Sequence, residues 1–140
     1  MPYWQLYYHL IWATKEREPL ITPQFEPKLW DYLRGKGLDL GGIVYAVGGV
    51  ADHVHVAVAI PPRIAVATYA GQLKGASSHW MTHLADHPAP FEWQDGYGAF
   101  SFSRRSLPQV VQYVLHQHEH HQKGDLIEEM ERIEVENYGP

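Results

Sequence analysis

The sequence contains no cysteine and no apolar run long enough to cross a membrane. Without cysteine, disulfide bonds and thiolate metal sites are excluded, and a reducing compartment fits the composition. The opening stretch MPYWQLYYHLIW has no basic segment, and its large apolar residues alternate along the chain. This alternation predicts a strand rather than a signal peptide. We therefore expect a cytoplasmic protein that makes no contact with a membrane.

An excess of positive charge is also missing, since the net charge is -5. Six acidic residues lie near the C-terminus, and the only base among them is Arg132; they are Asp125, Glu128, Glu129, Glu131, Glu134 and Glu136. Such an acidic segment is usually a solvated face. The rest of the chain has balanced charge, so any contact with a nucleic acid must depend on a few local cations.

The 140 residues are enough for one domain with a hydrophobic core. Hydrophobic periodicity and turn residues predict the order β-α-β-β-α-β, followed by further helix. The predicted strands are 3–12, 42–48, 53–60 and 98–103, and the predicted helices are 22–37 (or from Pro27), 64–84, 106–121 and a short acidic helix. This order predicts an α+β, ferredoxin-like (RRM-like) fold with an antiparallel sheet and an extra C-terminal helix. We expect one domain over 1–124 and an acidic helix and tail over 125–140.

The segment DHVHVAVAI at 52–60 places two histidines within a valine-rich strand. Because strand side chains alternate between faces, the valines share one face, and His53 and His55 share the other. Two imidazoles about 7 Å apart at their Cβ atoms can bind one metal ion. The spacing alone is more typical of a pair of surface or hydrogen-bonded histidines.

The last long helix, SLPQVVQYVLHQHEHHQ, places Tyr113 and Gln117 four residues apart on one face. A tyrosine in this position is by itself typical of packing or of the surface. The histidines of HQHEHH spread around the helix and are interpreted as a solvated face, with His120 as a weak candidate near the site.

Taken together in order, these segments resemble the single-tyrosine HUH transposases of the insertion-sequence 200/605 type. YHLIWATKERE is similar to the family's first strand and its exit, and GGVADHVHVAV to its histidine strand. QLKGASSHW is similar to the second helix, WQDGYGAFSFS to the final strand, and YVLHQHEHH to the tyrosine helix. The resemblance covers nearly the whole chain. It implies a ferredoxin-like homodimer that cleaves and rejoins single-stranded DNA at the hairpin-marked ends of a mobile element.

Residue by residue, the resemblance implies that His53 and His55 bind a divalent cation, Mg²⁺ or Mn²⁺, and that Gln117 completes the site. It implies that Tyr113 is the nucleophile that forms a 5′-phosphotyrosine link. In relatives the tyrosine helix of one subunit can complete the histidine site of its partner. Tyr113 is therefore expected either within its own chain's site or across a dimer.

Several further residues are candidates for contact with DNA. The cationic candidates for phosphate contacts are Lys15, Arg17, Lys74, Arg104, Arg105 and, outside the main set, Arg63. Tyr7, His9 and the loop 93–97 are candidates for stacking on unpaired bases. Asp52 could orient the imidazole of His53 or cap the turn before it.

Three alternatives remain open. A cupin-like oxygenase also uses His-x-His on a strand, but its iron site needs a carboxylate, and none follows His55 at short spacing. A ferredoxin-like RNA-binding domain would carry aromatic residues where this strand carries histidines and alanines. A domesticated or inactive relative would bind hairpin single-stranded DNA or RNA without cleaving it.

Overall fold

A four-stranded antiparallel sheet forms the centre of the protein. The computed structural model describes residues 2–134; Met1 and residues 135–140, with Glu136 of the acidic tail, lie outside the described residues. The strands are β1 (Tyr7–Ala13), β2 (Ile43–Val50), β3 (His53–Ala59) and β4 (Gly98–Phe102), in the sheet order β2-β3-β1-β4. This order, with β1 and β3 in the centre, confirms the predicted ferredoxin-like fold.

Helices cover both faces of the sheet. The segments between the strands form α1 (Glu26–Asp39) and α2 (Val66–His83), and three helices follow β4, namely α3 (Leu107–Leu115), α4 (Gln117–Lys123) and α5 (Glu128–Glu131). Within residues 2–134, no helix has both the length and the apolar character that a membrane span requires.

The main hydrophobic core lies on the sheet face beneath α1 and α2. Val54, Val56 and Val58 of β3 are at most 1% exposed and belong to this core. Leu10 and Trp12 of β1 join them, as the alternation of the two strands predicts. The opposite, outer face of β3 therefore carries His53 and His55.

Most element boundaries lie within two residues of the prediction, and the start of β1 differs more. β1 begins at Tyr7 rather than at residue 3, because its neighbours end opposite Tyr7, at Ala59 and Phe102. Helix α1 begins at Glu26 with Pro27 in its first turn, and continues past residue 37 to Asp39. Gly37 lies within the helix instead of ending it, and a Cβ atom at this position would collide with the side chains of Val44 and Tyr69.

The predicted continuous helix 106–121 is broken at His116. This residue has φ -111° and ψ 35°, outside helical values, and separates α3 from α4. No proline or glycine marks the break, so no residue type signals it. The break changes the direction in which the histidines of α4 point. The boundary at residue 124, between the expected domain and the acidic helix and tail, stays a prediction.

Candidate metal and tyrosine site

His53 and His55 lie on the outer face of β3 and are nearly inaccessible to solvent, at 2% and 0% exposure. Within the described residues, neither Nε2 atom has a hydrogen-bond partner of good geometry. Each Nε2 atom lies 3.3 Å from a carboxylate oxygen of Glu131. Buried polar atoms are normally paired, so two unpaired nitrogens side by side indicate a place for a ligand.

The other ring nitrogen of each histidine is held by a hydrogen bond. Nδ1 of His53 donates to Oδ1 of Asp52 at 2.8 Å, and Nδ1 of His55 lies 2.7 Å from Nε2 of His9. Asp52 thus orients an imidazole, one of its two predicted roles. His9 is 1% exposed and Tyr7 is 8% exposed, so the expectation that they stack on bases is wrong.

Tyr113 is placed beside the histidines by the packing of α3 on the sheet. Val110 and Val114 of α3 pack against Ala57 on the histidine face of β3, where a larger side chain would keep the helix away. Gly48 of β2 faces the backbone carbonyl of Val114, and a Cβ atom at this position would collide with it. Two small residues therefore allow the tyrosine helix to approach the sheet.

The site is assembled within a single chain. The ring of Tyr113 lies 5.9 Å from that of His55, centre to centre, and 6.5 Å from that of His9. Its hydroxyl group donates a hydrogen bond of 2.5 Å to Oε2 of Glu131. The groups named for the site thus lie together within one chain, which is one of the two expected arrangements. The arrangement across a dimer stays a prediction.

Glu131 is the residue that sequence reasoning missed. It belongs to the acidic segment that was interpreted as a solvated face, yet its side chain is only 17% exposed. The segment is brought back to the site by a turn at Gly124 (φ 72°) and by a hydrogen bond of 3.1 Å from the Ile127 amide to the Tyr113 hydroxyl. Glu131 lies 76 residues after His55, so no short motif reveals it. The carboxylate that does not follow His55 at short spacing is supplied by the fold.

His53, His55 and Glu131 have the chemistry and the spacing of a metal site. Their ligand atoms all lie within 4.8 Å of one another. An octahedral cation with bonds of about 2.1 Å places adjacent ligand atoms roughly 3 Å apart, close to the 3.3 Å found between each Nε2 and the carboxylate. Two imidazoles and a carboxylate suit Mn²⁺ and accommodate Mg²⁺. The residues present therefore fit a divalent cation.

Three residues of α4, namely Gln117, His120 and His121, contact Tyr113 or Glu131. Gln117 is 1% exposed; its amide nitrogen donates to the Tyr113 carbonyl at 2.9 Å, and its amide oxygen lies 3.2 Å from Nε2 of His121. Nε2 of His121 lies 3.5 Å from Oε1 of Glu131. The ring centres of His120 and Tyr113 lie 4.6 Å apart. Of these two histidines, His120 alone is a candidate from the sequence. The helix break that directs His121 inwards could not be predicted.

The environment holds these groups in defined charge states. Burial lowers the pKa of His9 to about 3 and that of His55 to about 4, so both rings are neutral at pH 7. Burial also disfavours charge on His53, but the hydrogen bond to Asp52 and the nearby carboxylate of Glu131 outweigh it and raise the pKa of this ring. For Tyr113, burial and the hydrogen bond to Glu131 raise the pKa above that of a free phenol.

The predicted cationic residues lie at different distances from the site. Lys15 pairs with Glu92 at 2.9 Å, and the Lys74 ammonium donates to the carbonyl groups of Gln94 and Gly96. Lys74 thus fixes the loop 93–97 to α2, and Trp93 of this loop donates to Ser77.

Three arginines complete the predicted set. Arg17 borders a surface cleft that Glu131 also lines. Arg104 and Arg105 are exposed in the short 3-10 turn that leads into α3. Arg17 is thus the predicted cation that the structure places beside the site, and the phosphate contacts of all five stay a prediction.

Comparison with known proteins identifies the family. The model of the family "Transposase IS200 like" matches residues 2–117. The chain is 29% identical over 123 residues to the ISDra2 transposase TnpA of Deinococcus radiodurans, covering 83% of this chain and 86% of the relative. It is 24% identical over 127 residues to the transposase of insertion sequence element IS200 of Salmonella typhimurium, covering 87% of this chain and 83% of the relative.

Solved structures agree with these sequence comparisons. A crystal structure assigned to a transposase of Deinococcus radiodurans superposes with a TM-score of 0.64 at 29% identity, covering 81% of this chain and 92% of that one. A REP-associated tyrosine transposase bound to a REP hairpin has the same fold, with a TM-score of 0.60 at 14% identity, covering 90% of this chain and 76% of that one. The chain therefore belongs to the family of IS200-like transposases.

Proposed function

We propose that this protein is an HUH-type single-tyrosine transposase that cleaves and rejoins single-stranded DNA through a 5′-phosphotyrosine intermediate. The observation that carries this proposal is the pair of Nε2 atoms of His53 and His55, which lack hydrogen-bond partners among residues 2–134. Their carboxylate neighbour, Glu131, is also the acceptor for the hydroxyl group of Tyr113. A cation ligand set and a nucleophile thus share one buried site.

In the proposed site, His53, His55 and Glu131 hold the cation. A bound Mg²⁺ or Mn²⁺ would supply the positive charge that polarises a non-bridging oxygen of the scissile phosphate. Gln117 remains a proposed ligand from α4, since its buried amide contacts His121, which lies 3.5 Å from Glu131.

Tyr113 forms the covalent link in the proposed reaction. Its hydroxyl oxygen attacks phosphorus, and the bond from phosphorus to the 3′ oxygen breaks. Oε2 of Glu131 accepts the hydrogen bond from this hydroxyl group and is placed to receive its proton. The products are a 5′-phosphotyrosine and a free 3′ hydroxyl group, which takes up a proton. Attack by a 3′ hydroxyl group on the phosphotyrosine rejoins DNA without ATP.

The proposed substrate is single-stranded DNA that carries a hairpin at each end of the element. The hairpin bound to the REP-associated transposase supports this choice. Arg17, beside the site, is the first of the proposed phosphate contacts; the others are Lys15, Lys74, Arg104 and Arg105. A homodimer in the cytoplasm is part of the proposal, because an element has two ends to process.

The test is a covalent adduct assay with Mn²⁺ and the DNA that flanks the protein's own gene, offered as single strands and as duplex. We expect an adduct with single strands, and none with Tyr113→Phe. Tyr3→Phe is the matched control, because Tyr3 is 82% exposed, and it should form the adduct normally. An adduct that persists in Tyr113→Phe would show that another residue is the nucleophile.

One observation favours a second candidate function, binding of hairpin DNA or RNA without cleavage. The Glu131 carboxylate lies between the histidines and the Tyr113 hydroxyl, close to where a scissile phosphate must lie. A binding protein of this kind would retain its affinity for hairpins but form no adduct under any metal condition. The same assay, with a binding measurement on each strand, distinguishes the two functions.

A further inference from the structure

The two proposed histidine ligands are oriented by partners of different chemistry. His53 is held by the carboxylate of Asp52, and His55 is held by a third imidazole, that of His9 on β1. The rings of His9 and His55 lie nearly parallel, 4.9 Å apart at their centres with an angle of 25° between planes. Both residues are at most 1% exposed, so no water replaces this contact.

The carboxylate of Asp52 fixes the tautomer of His53. An ionised carboxylate only accepts hydrogen bonds, so Nδ1 of His53 must carry a proton when it donates to Asp52. The Nε2 atom of the neutral ring then has a free lone pair. His53 is therefore preset as a ligand through Nε2.

The imidazole of His9 leaves the tautomer of His55 open, because a neutral imidazole can either donate or accept. If Nε2 of His55 is to bind a cation, its ring proton must be on Nδ1 and must be donated to Nε2 of His9. The proton of His9 is then on its own Nδ1. That atom is buried and has no partner among the described residues. Buried N–H groups without an acceptor are rare and unfavourable.

The opposite arrangement satisfies the metal-free protein better. His9 then donates from Nε2 to Nδ1 of His55, and Nε2 of His55 carries a proton that faces Oε2 of Glu131, 3.3 Å away. In this state His9 donates a hydrogen bond to His55, and the N–H group of His55 lies beside the anionic carboxylate of Glu131, although not in hydrogen-bond geometry. Of these two rings, the Nδ1 lone pair of His9 is then the group without a partner among the described residues.

We propose that His9 is a positioning residue that sets the tautomer of His55, and that cation binding switches both rings together. This inference rests on the proposed metal site. In the metal-free state the proton of each ring is on Nε2, and in the loaded state it is on Nδ1. His53, held by Asp52, keeps one tautomer throughout. His9 therefore controls whether the second ligand is available to the cation, without touching the cation itself.

The direct test is ¹⁵N NMR of the histidine rings in the wild-type protein, without DNA, before and after addition of Mg²⁺. At a pH above the raised pKa of His53, where this ring is neutral, we expect the protonated nitrogen of His9 and of His55 to change from Nε2 to Nδ1, and that of His53 to remain Nδ1. If Mg²⁺ binds and the two tautomers stay unchanged, the inference is wrong.

A second test uses cation affinity, measured by calorimetry with Mn²⁺ and no DNA. His9→Phe removes the partner of His55, and we expect an affinity loss of roughly tenfold or more, as for other residues that orient metal ligands. His9→Gln provides an amide oxygen that can accept from Nδ1 of His55, and it should recover most of the affinity. A purely structural role predicts no such recovery, and equal affinity in wild type and His9→Phe would overturn the proposal.

These outcomes separate the inference from the proposed function. Wild-type protein that binds Mn²⁺ and forms the DNA adduct, but shows no effect of His9, contradicts only the role of His9. Wild-type protein that binds no cation and forms no adduct contradicts the proposed function, and the inference with it.

Discussion

The two faces of β3 differ in almost every physical property, although they alternate residue by residue along one strand. The inner face carries Val54, Val56 and Val58, packed beneath α1 and α2. The outer face carries His53 and His55, whose Nε2 atoms lack hydrogen-bond partners within residues 2–134. Burial of apolar groups stabilises a fold, whereas unpaired buried polar groups destabilise it. The comparison shows that the inner face stabilises the fold, whereas the outer face holds reactive groups at the expense of stability.

Adjacent residues on β3 offer the sharpest contrast between the faces. We expect His55→Ala to abolish cation binding and to reduce adduct formation by about a thousandfold, since it removes a ligand to the charge that acts on the phosphate. Val56→Ala should instead lower the free energy of unfolding by about 2 kcal/mol and change adduct formation only a few-fold. Denaturant unfolding measures the stability of each variant, and the adduct assay measures its activity. Similar losses of adduct formation in His55→Ala and Val56→Ala would contradict the proposed difference between the two faces.

The close approach of α3 to the outer face can be broken without touching a reactive group. In Gly48→Ala the new Cβ atom collides with the Val114 carbonyl, so α3 must shift and take Tyr113 with it. We expect adduct formation to fall at least tenfold, because small misplacements of a reacting group have large effects on rate. Gly75→Ala is the control, since no atom lies within 4 Å of its Cβ position and alanine favours helix by roughly 0.5–1 kcal/mol. Normal activity in Gly48→Ala would show that this contact does not position Tyr113.

Glu131 tests whether the acidic segment belongs to the site. Glu131→Ala removes the carboxylate beside both imidazoles, and we expect the affinity for Mn²⁺ to fall roughly ten- to hundredfold, with a parallel loss of adduct. Glu129 is exposed in the same short helix, and Glu129→Gln should leave the affinity for Mn²⁺ and adduct formation unchanged. Increased cleavage by Glu131→Ala would mean that the carboxylate blocks the phosphate's position instead of holding the cation.

The buried imidazoles also predict a pH dependence of stability. In the unfolded chain histidine has a pKa near 6.5, whereas burial lowers the folded pKa of His9 to about 3 and that of His55 to about 4. Below pH 6.5 the unfolded state binds more protons, so the free energy of unfolding falls as the pH decreases towards 4.

The raised pKa of His53 has the opposite sign. Its contribution is fully present below pH 6.5 and is lost only as the pH rises through the folded pKa, so it does not cause the acid loss. Between pH 6.5 and 5 we expect the metal-free protein to lose on the order of 1–2 kcal/mol per lowered ring. Denaturant unfolding at pH 7, 6 and 5 measures this, and His9→Phe should show a weaker dependence. His79→Gln, at an exposed position of α2, should behave like wild type. A stability that does not change over this range would contradict the burial of neutral rings.

Sequence patterns predicted the sheet, the helices that cover it and the outward direction of His53 and His55. The period-two alternation of β3 contains that information directly. Tyr113 was predicted from its position in an amphipathic helix and from the family resemblance, and its approach to β3 depends on Ala57 and Gly48.

The remaining parts of the site depend on tertiary contacts. The inward direction of His121 follows from a helix break at His116 that no residue type signals. Glu131 reaches the histidines only because its segment folds back over Tyr113, and its acidic surroundings are typical of a solvated face. Strand alternation predicts the sheet face on which His9 lies, but not its contact with His55 of β3. For this reason the predicted role of His9, stacking on bases, was wrong.

The most direct test of the account is the number of divalent cations that the protein binds in the absence of DNA. Titration with Mn²⁺, followed by electron paramagnetic resonance, should find one ion per chain in wild type and in Tyr113→Phe. It should find none in the His53→Ala, His55→Ala double variant, which keeps its fold by circular dichroism. Binding by this double variant equal to wild type, or no binding by wild type, would contradict the claim that the unpaired imidazole nitrogens are a cation site.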